Sequence, residues 1–506
     1  MSRRCKLLGI PVFLGLMCWF SFVALHRFID ADEGYYVLAS RLVLLHKTPY
    51  LDFLYQQAPL LPYAYGGWMK LAGVSWTSVR IFAALLTTIL GVLIYEQVCH
   101  ETQKWVAGLS AALLFASATF VFAWFPVAKT FSLATLLLFG AYVIVSRLTT
   151  NSPRWWIAAS GVLFGLSADA RSYVAGLAPL FLAWLIWKPE KTGRLARLLW
   201  FAGGCLLGIA PSLFLFAASP DRFLFNNLGF HAMVSPKGLI GAWGRKLYIA
   251  QMVMFGPQEN GLQFTIVAVT AFVLIFIMRM RRDASVLAFL IAFLIGVISI
   301  LPTPPNSQYF SICMPFLIVA AVCAANDYLA SLQVASAKWT AAVACAALFV
   351  IFLGYTVLGI RNYLITRENV IGIAGSQDAP NWTLERVREV SAAIDELAMP
   401  NEEIASFWPG YIFESKTVPY PGYEDDFGLT VSRNLTPEER ARYHVVSPVE
   451  IQAGFAVHGP AIAVVGNQGN VSGRVSECER MLRAYGYKKV RTIGDTSIFV
   501  YEMLAR

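Results

Sequence analysis

Three carboxylates fall within four positions, at Asp30, Asp32 and Glu33, directly behind an apolar stretch that begins near residue 7. At a boundary between hydrocarbon and water an ionised side chain is costly unless it is hydrated, paired or used. A carboxylate in such a place can act as a general base, taking the proton of a hydroxyl while its oxygen attacks an electrophilic carbon. The same residues also spell a helix start, with Asp30 as N-cap and Glu33 at the third helical position. Residue types alone leave both readings open.

Around this trio lie Tyr35, Tyr36, Tyr50, Tyr55, Gln56, Gln57, Tyr63, Tyr65, Trp68 and Arg80. These residues can line a binding surface or form an interfacial aromatic belt. Downstream, the run Phe225-Asn226-Asn227-Leu228-Gly229-Phe230-His231 is followed by Lys237, Arg245 and Lys246. Lys129 closes a short turn, Arg171 stands at a helix junction, and Gln308 and Tyr309 follow a proline-rich segment. For each single cation, snorkelling or helix capping competes with ligand binding, and a lone His competes as a structural donor. The eight cysteines show no metal spacing, and the acidic trio offers too few oxygens for a hard cation. The chemistry expected is free of metal and cofactor.

The elements that must hold these residues are membrane spans. The 506 residues are 57% hydrophobic and 14% charged, against roughly 25% charged in soluble domains. Apolar runs long enough to cross a bilayer occur near 7–28, 77–98, 105–123, 130–147, 155–170, 173–187, 198–217, 261–278, 284–301, 309–325 and 339–360. They predict about eleven spans in a domain covering 1–360, with two long outer loops at 29–76 and 218–260. The first run follows Arg3, Arg4 and Lys6 and reads as a retained signal anchor. Residues 1–360 carry a net charge of +13 and residues 361–506 a net charge of −4. The Lys and Arg fall mainly in alternate loops, which predicts a cytoplasmic N-terminus and a C-terminal domain on the outer face. That charge distribution argues against nucleic acid as a partner.

Residues 361–506 have the composition of a soluble α/β domain. Helices are expected over Asn381–Ala398 and Glu477–Tyr485, and from the capped start Thr436-Pro437-Glu438-Glu439. Strand-like runs occur at Glu403–Phe407, Ala461–Val465 and Ser497–Tyr501.

The succession Asp32-Glu33-Gly34-Tyr35-Tyr36, an amphipathic helix, Pro49-Tyr50-Leu51-Asp52-Phe53, Tyr55–Tyr63 and Ser78-Val79-Arg80 resembles the first loop of membrane GT-C glycosyltransferases. The resemblance is to the protein O-mannosyltransferase-like superfamily, which includes the lipid A aminoarabinose transferases. It implies a GT-C-like polytopic membrane protein that moves a sugar from a polyprenyl-phosphate carrier to a glycan, lipid or protein acceptor outside the cytoplasmic membrane. It also implies that the family's essential acid falls on the pair Asp32 and Glu33, with Asp32 as the general base and inversion in one displacement. A phosphate leaving group needs positive charge rather than a protonated acid. Gln56 and Gln57 stand where the aminoarabinose-transferase pattern carries Glu-Lys. The cation must then come from elsewhere, with Arg171, Arg245, Lys246 and Lys129 as the candidates. The remaining substrate-binding candidates are Asp30, Tyr35, Tyr55, Gln57, Tyr63, Arg80, His231 and Tyr309.

Two other classes compete. A transporter or lipid-sugar flippase would use Asp169 and Arg171 as a gating pair, but the chain lacks the internal repeats of such proteins. A non-catalytic scaffold explains the C-terminal domain and leaves Asp32–Tyr63 without a purpose.

Overall fold

The computed structural model describes residues 3–188, 193–235, 241–256, 261–280, 282–301, 305–366, 379–467 and 474–501. Lys237 and residues 302–304 of the proline-rich segment before Gln308 lie outside the described residues. The chain divides into two compact units. The first comprises 1–24, 83–211 and 237–365, and the second comprises 25–82, 212–236 and 366–506. The first long loop and the segment 212–236 thus belong with the C-terminal chain.

The first unit is helical. The eleven predicted spans fall on helical segments, several of them broken into two helices. Five are long and apolar enough to cross a membrane alone: Arg4–His26, Trp76–Thr102, Asp283–Ile300, Ser307–Ser331 and Ala335–Thr366. Arg194–Gly208 and Ala210–Ala218 form a pair bent by 60°, which makes up to six, and four further apolar helices are shorter. The predicted 105–123 span is interrupted where Ala118 turns to an extended conformation between Trp105–Ser117 and Thr119–Trp124.

Helices Arg154–Ala170 and Arg194–Gly208 pack backbone to backbone through glycine. A Cβ at Gly161 would sit 2.2 Å from the Phe201 carbonyl oxygen, and one at Gly204 would sit 2.1 Å from that of Ala158. Small residues permit such an approach, and lipid supplies no hydrophobic drive between apolar helices, so close packing must hold the pair. Three helix ends are joined by charge, with Arg282 bonded to Asp327 at 2.6 and 2.9 Å and paired with Glu101 at 3.5 Å. Gln263 lies buried and bridges the Thr119 N–H (2.8 Å), the Phe352 carbonyl (2.9 Å) and the Thr356 hydroxyl (3.1 Å).

The second unit is built around a five-stranded sheet of order β2-β1-β3-β5-β4. Its strands are β1 (Glu403–Ser406), β2 (Val418–Pro419), β3 (Ile462–Val465), β4 (Tyr487–Ile493) and β5 (Thr496–Tyr501). β1 pairs in parallel with β2 and β3, whereas β5 runs antiparallel to β3 and β4. Ala405, Phe407, Ala463, Val465, Leu482 and Phe499 form the core on one face. The expected helices appear as Leu384–Leu397, capped by Thr383, and Val475–Ala484. Thr436 and Glu439 close the foreseen capping box. Strand β4 and helix Pro448–His458 were not foreseen. The alternation of charged residues in Tyr487–Ile493 is weak, and Ala, Gly and Val fill the helix.

Candidate functional sites

In the second unit the acidic trio starts the helix Ala31–Leu44. Asp30 is its N-cap: its carboxylate accepts the Asp32 N–H at 3.1 Å, and its own N–H donates to Glu33 at 2.8 Å. Glu33 is fully enclosed and holds the equally enclosed Arg80 through two bonds, of 2.6 and 2.9 Å. Arg80 also donates to the carbonyls of Arg27 (2.7 Å) and Phe28 (3.1 Å). Both oxygens of Glu33 are therefore engaged, and the helix start is locked. Asp32 sits between these two acids and is the most accessible of the three.

The same helix is gripped along its length. Trp408 donates its indole N–H to the Ala31 carbonyl at 2.8 Å, and Ile29 donates to the Trp382 carbonyl at 2.7 Å. Arg41 donates to the carbonyls of Ile412 and Thr417, both at 2.7 Å. Gly34 is required here, because a Cβ would lie 2.7 Å from the Trp408 ring and 2.8 Å from the Gly410 nitrogen. Tyr35 is buried and donates its hydroxyl to Asp426. Burial first, then the charges of Asp426, Asp425 and Asp32, push the Tyr35 phenol well above its usual range, so it remains a donor. Asp425 is raised as well, chiefly by burial and next by Asp426, with a smaller contribution from Asp32. Asp32, Asp425 and Asp426 thus form one acidic neighbourhood. The run Glu424-Asp425-Asp426 is visible in the sequence, but it is indistinguishable there from a solvated turn.

The Tyr55–Tyr63 segment is fixed by its backbone. Arg222 and His444 donate to the Leu51 carbonyl at 2.8 and 2.6 Å, and burial lowers the His444 pKa. His231 donates through Nε2 to the Gln56 carbonyl at 2.9 Å, and the enclosed Asn226 accepts the Tyr55 N–H at 3.1 Å. Tyr50 donates to the Gln57 carbonyl at 2.6 Å. Gln57 and Tyr63 are half-buried, with Tyr63 on a helix, Leu60–Ala72, that the sequence reading treated as loop. His231 is thus a clamp on the loop rather than part of the acidic neighbourhood.

In the first unit four candidates meet. The Arg171 guanidinium lies over the rings of Phe131 (4.3 Å), Tyr309 (4.8 Å) and Tyr173 (4.9 Å) and donates to the Thr130 hydroxyl. Lys129 donates to Gln308 at 3.3 Å and its ammonium stands 5.2 Å from the Trp124 ring centre and 5.9 Å from that of Phe131. Both cations are buried, as is Asp169. Phe131 is shared by Lys129 and Arg171, so the two positive charges face a common ring. Thr130, Phe131 and Tyr173 were not singled out from sequence, since apolar and hydroxyl residues within a span carry no distinguishing signal.

The other two cations part ways. Lys246 donates to the Leu301 carbonyl at 2.8 Å, capping the end of helix Asp283–Ile300, and Arg245 is exposed. Beside the turn Ser307–Ile312, an apolar groove of about 440 Å³ is lined by Val253, Phe264, Phe289, Phe293, Phe310 and Leu317 among others. Phe310 faces this groove while its neighbour Tyr309 faces Arg171. Among the described residues, no three His, Cys, Asp or Glu side chains are grouped to hold a metal ion.

Residues 56–215 match the family model for dolichyl-phosphate-mannose-protein mannosyltransferase. The fold resembles the crystal structure of ArnT from Cupriavidus metallidurans bound to undecaprenyl phosphate, with a TM-score of 0.67 and 14% identity, covering 99% of this chain and 98% of that one. The apo form of that ArnT aligns with a TM-score of 0.63 at 14% identity, covering 98% and 97% of the two chains. No curated protein matches the chain by sequence. The architecture is GT-C-like: a polytopic helical membrane protein with a small C-terminal sheet.

Proposed function

We propose that the chain is a GT-C glycosyltransferase, a reading supported by the family-model match over residues 56–215 and by the likeness of its fold to ArnT. We propose that it transfers a sugar from a polyprenyl-phosphate carrier to a hydroxyl of a glycan, lipid or protein acceptor. The membrane is the cytoplasmic one, the N-terminus lies inside, and the C-terminal domain lies outside. The observation that carries the donor assignment is the turn Ser307–Ile312. It presents Tyr309 to the buried Arg171 and Phe310 to a wholly apolar groove. A buried cation pair beside an apolar groove fits a ligand with an anionic head and a hydrocarbon tail, as in a polyprenyl phosphate. The undecaprenyl phosphate bound by the ArnT relative is a ligand of that class.

Asp32 is the general base. It takes the acceptor hydroxyl proton while that oxygen bonds to the anomeric carbon. The bond from that carbon to the phosphate oxygen breaks, and the carrier departs as a phosphate anion. One displacement inverts the anomeric centre. Within the first unit, Arg171 and Lys129 are the cations proposed to hold the carrier phosphate, and low-dielectric surroundings strengthen their effect. Glu33 and Arg80 fix the helix start that carries the base.

The test is transfer from a labelled polyprenyl-phosphate sugar by the purified protein in lipid. Wild type is expected to transfer the sugar and Asp32→Asn to lose that transfer while keeping its fold. Movement of the labelled lipid across vesicles without any transfer would instead establish the flippase class.

A further inference from the structure

The helix that carries Asp32 is poor at holding its own first turn. Gly34 stands at its fourth position, and glycine inside a helix costs about 1 kcal/mol relative to alanine. The glycine cannot be exchanged, because Trp408 and Gly410 fill the space a Cβ would take. The turn therefore depends on outside contacts. One is local, the Asp30 cap, and a second comes from 47 residues on, the Glu33–Arg80 pair. The third comes from 391 residues away, where Asp426 accepts the Tyr35 hydroxyl.

Asp32 and Tyr35 are three residues apart and so share a helix face. Fixing the Tyr35 ring fixes the rotation of the turn beneath Asp32. Phe427 packs against that ring with centroids 4.6 Å apart, so two adjacent residues of the C-terminal chain hold it. We propose that Asp426 is a positioning residue for Asp32, acting through Tyr35, and that the C-terminal domain thereby completes the catalytic base. The inference rests on Asp32 being the base of the proposed transfer. The charge distribution supports it. Burial and the neighbouring Asp426 raise Asp425, while Asp426 accepts the Tyr35 hydroxyl. The raised Tyr35 phenol keeps its proton and remains the donor.

The experiment is a double-mutant cycle on the full-length protein in lipid, reading kcat and KM of sugar transfer for Tyr35→Phe, Asp426→Asn and the double variant. Each single change is expected to lower kcat about tenfold or more, with KM changed less than about twofold. The double variant should fall no further than the worse single, because both remove the same bond. Tyr35→Phe keeps the ring and its packing, so it decides the matter if Asp426→Asn does not fold. Wild-type kcat in Tyr35→Phe overturns the inference, as does a double variant whose loss is the product of the singles. Asp32→Asn is measured in parallel. If it stays active, the base assignment fails. If it is inactive while Tyr35→Phe is normal, only this inference fails.

Discussion

The acidic and basic groups of this protein are held by different means. In the second unit, Asp30 and Glu33 sit at a helix start and are fixed by the cap and by Arg80, and Asp426 is bonded to Tyr35 of that helix. In the first unit, Arg171 is cradled mainly by aromatic faces, with Thr130 and Gln308 as neutral polar neighbours of the cation pair. Hydrogen bonds fix direction, which a proton acceptor needs to aim a lone pair. Ring faces attract a cation by their electrostatic potential and hold its charge in low-dielectric surroundings. The first arrangement suits a base and the second suits a leaving phosphate.

The sharpest test of that contrast is Asp32→Asn, which removes the base and keeps shape and cap. Transfer should fall by about 10³-fold or more, read as initial rate with the labelled donor. Glu33→Ala probes support rather than chemistry. It strands the enclosed Arg80, and removing one partner of a buried ion pair costs roughly 3–5 kcal/mol. The measured quantity is the thermal midpoint in detergent, which should drop well below that of Asp32→Asn. An unchanged midpoint would dissolve the distinction between the two acids.

On the basic side, Arg171→Gln is expected to weaken transfer about a hundredfold. Arg171→Lys should recover only part of it, since a lysine lacks the guanidinium that lies over the rings of Phe131 and Tyr309. Full recovery with lysine would mean that charge alone matters and that the aromatic faces do not.

The smallest effect concerns pH and the C-terminal domain. Burial pushes Glu424 up to about 7 in the folded state, against 4.5 for the ordinary group. The folded chain therefore keeps a proton that the unfolded chain releases. Stability falls as pH rises from about 4.5 to about 7 and then levels off, by about 3 kcal/mol at most. Glu424→Gln should flatten that fall in denaturant titrations at pH 5 and pH 8. An unaltered pH dependence would show that Glu424 is not its source.

Much of this was legible in the chain. Apolar runs of span length fell on helical segments, because hydrocarbon demands internal backbone bonding, whereas the breaks at Ala118 and between Gly208 and Ala210 were not legible. The spacing of Asp30 and Glu33 announced the capping box, a local interaction across three residues. Thr436 and Glu439 were readable for the same reason. Arg171 and Tyr309 were each visible as polar residues in apolar surroundings, although nothing in the sequence said that they meet.

Tertiary structure decided which partner each charge takes. Arg80 and Glu33 lie 47 positions apart, and Tyr35 and Asp426 lie 391 apart. No periodicity or spacing links residues at such separations. Lys246 and Arg171 look alike in the sequence, whereas the fold sets the Lys246 ammonium on a helix end and the Arg171 guanidinium over aromatic rings. His231 likewise resolved into a clamp on the Gln56 carbonyl. The sequence by itself determined what kind of solvent surrounds the chain and where its helices start, since both depend on composition and local bonding. Only the fold decided which partners each buried charge takes, since that depends on contacts between segments distant in the chain.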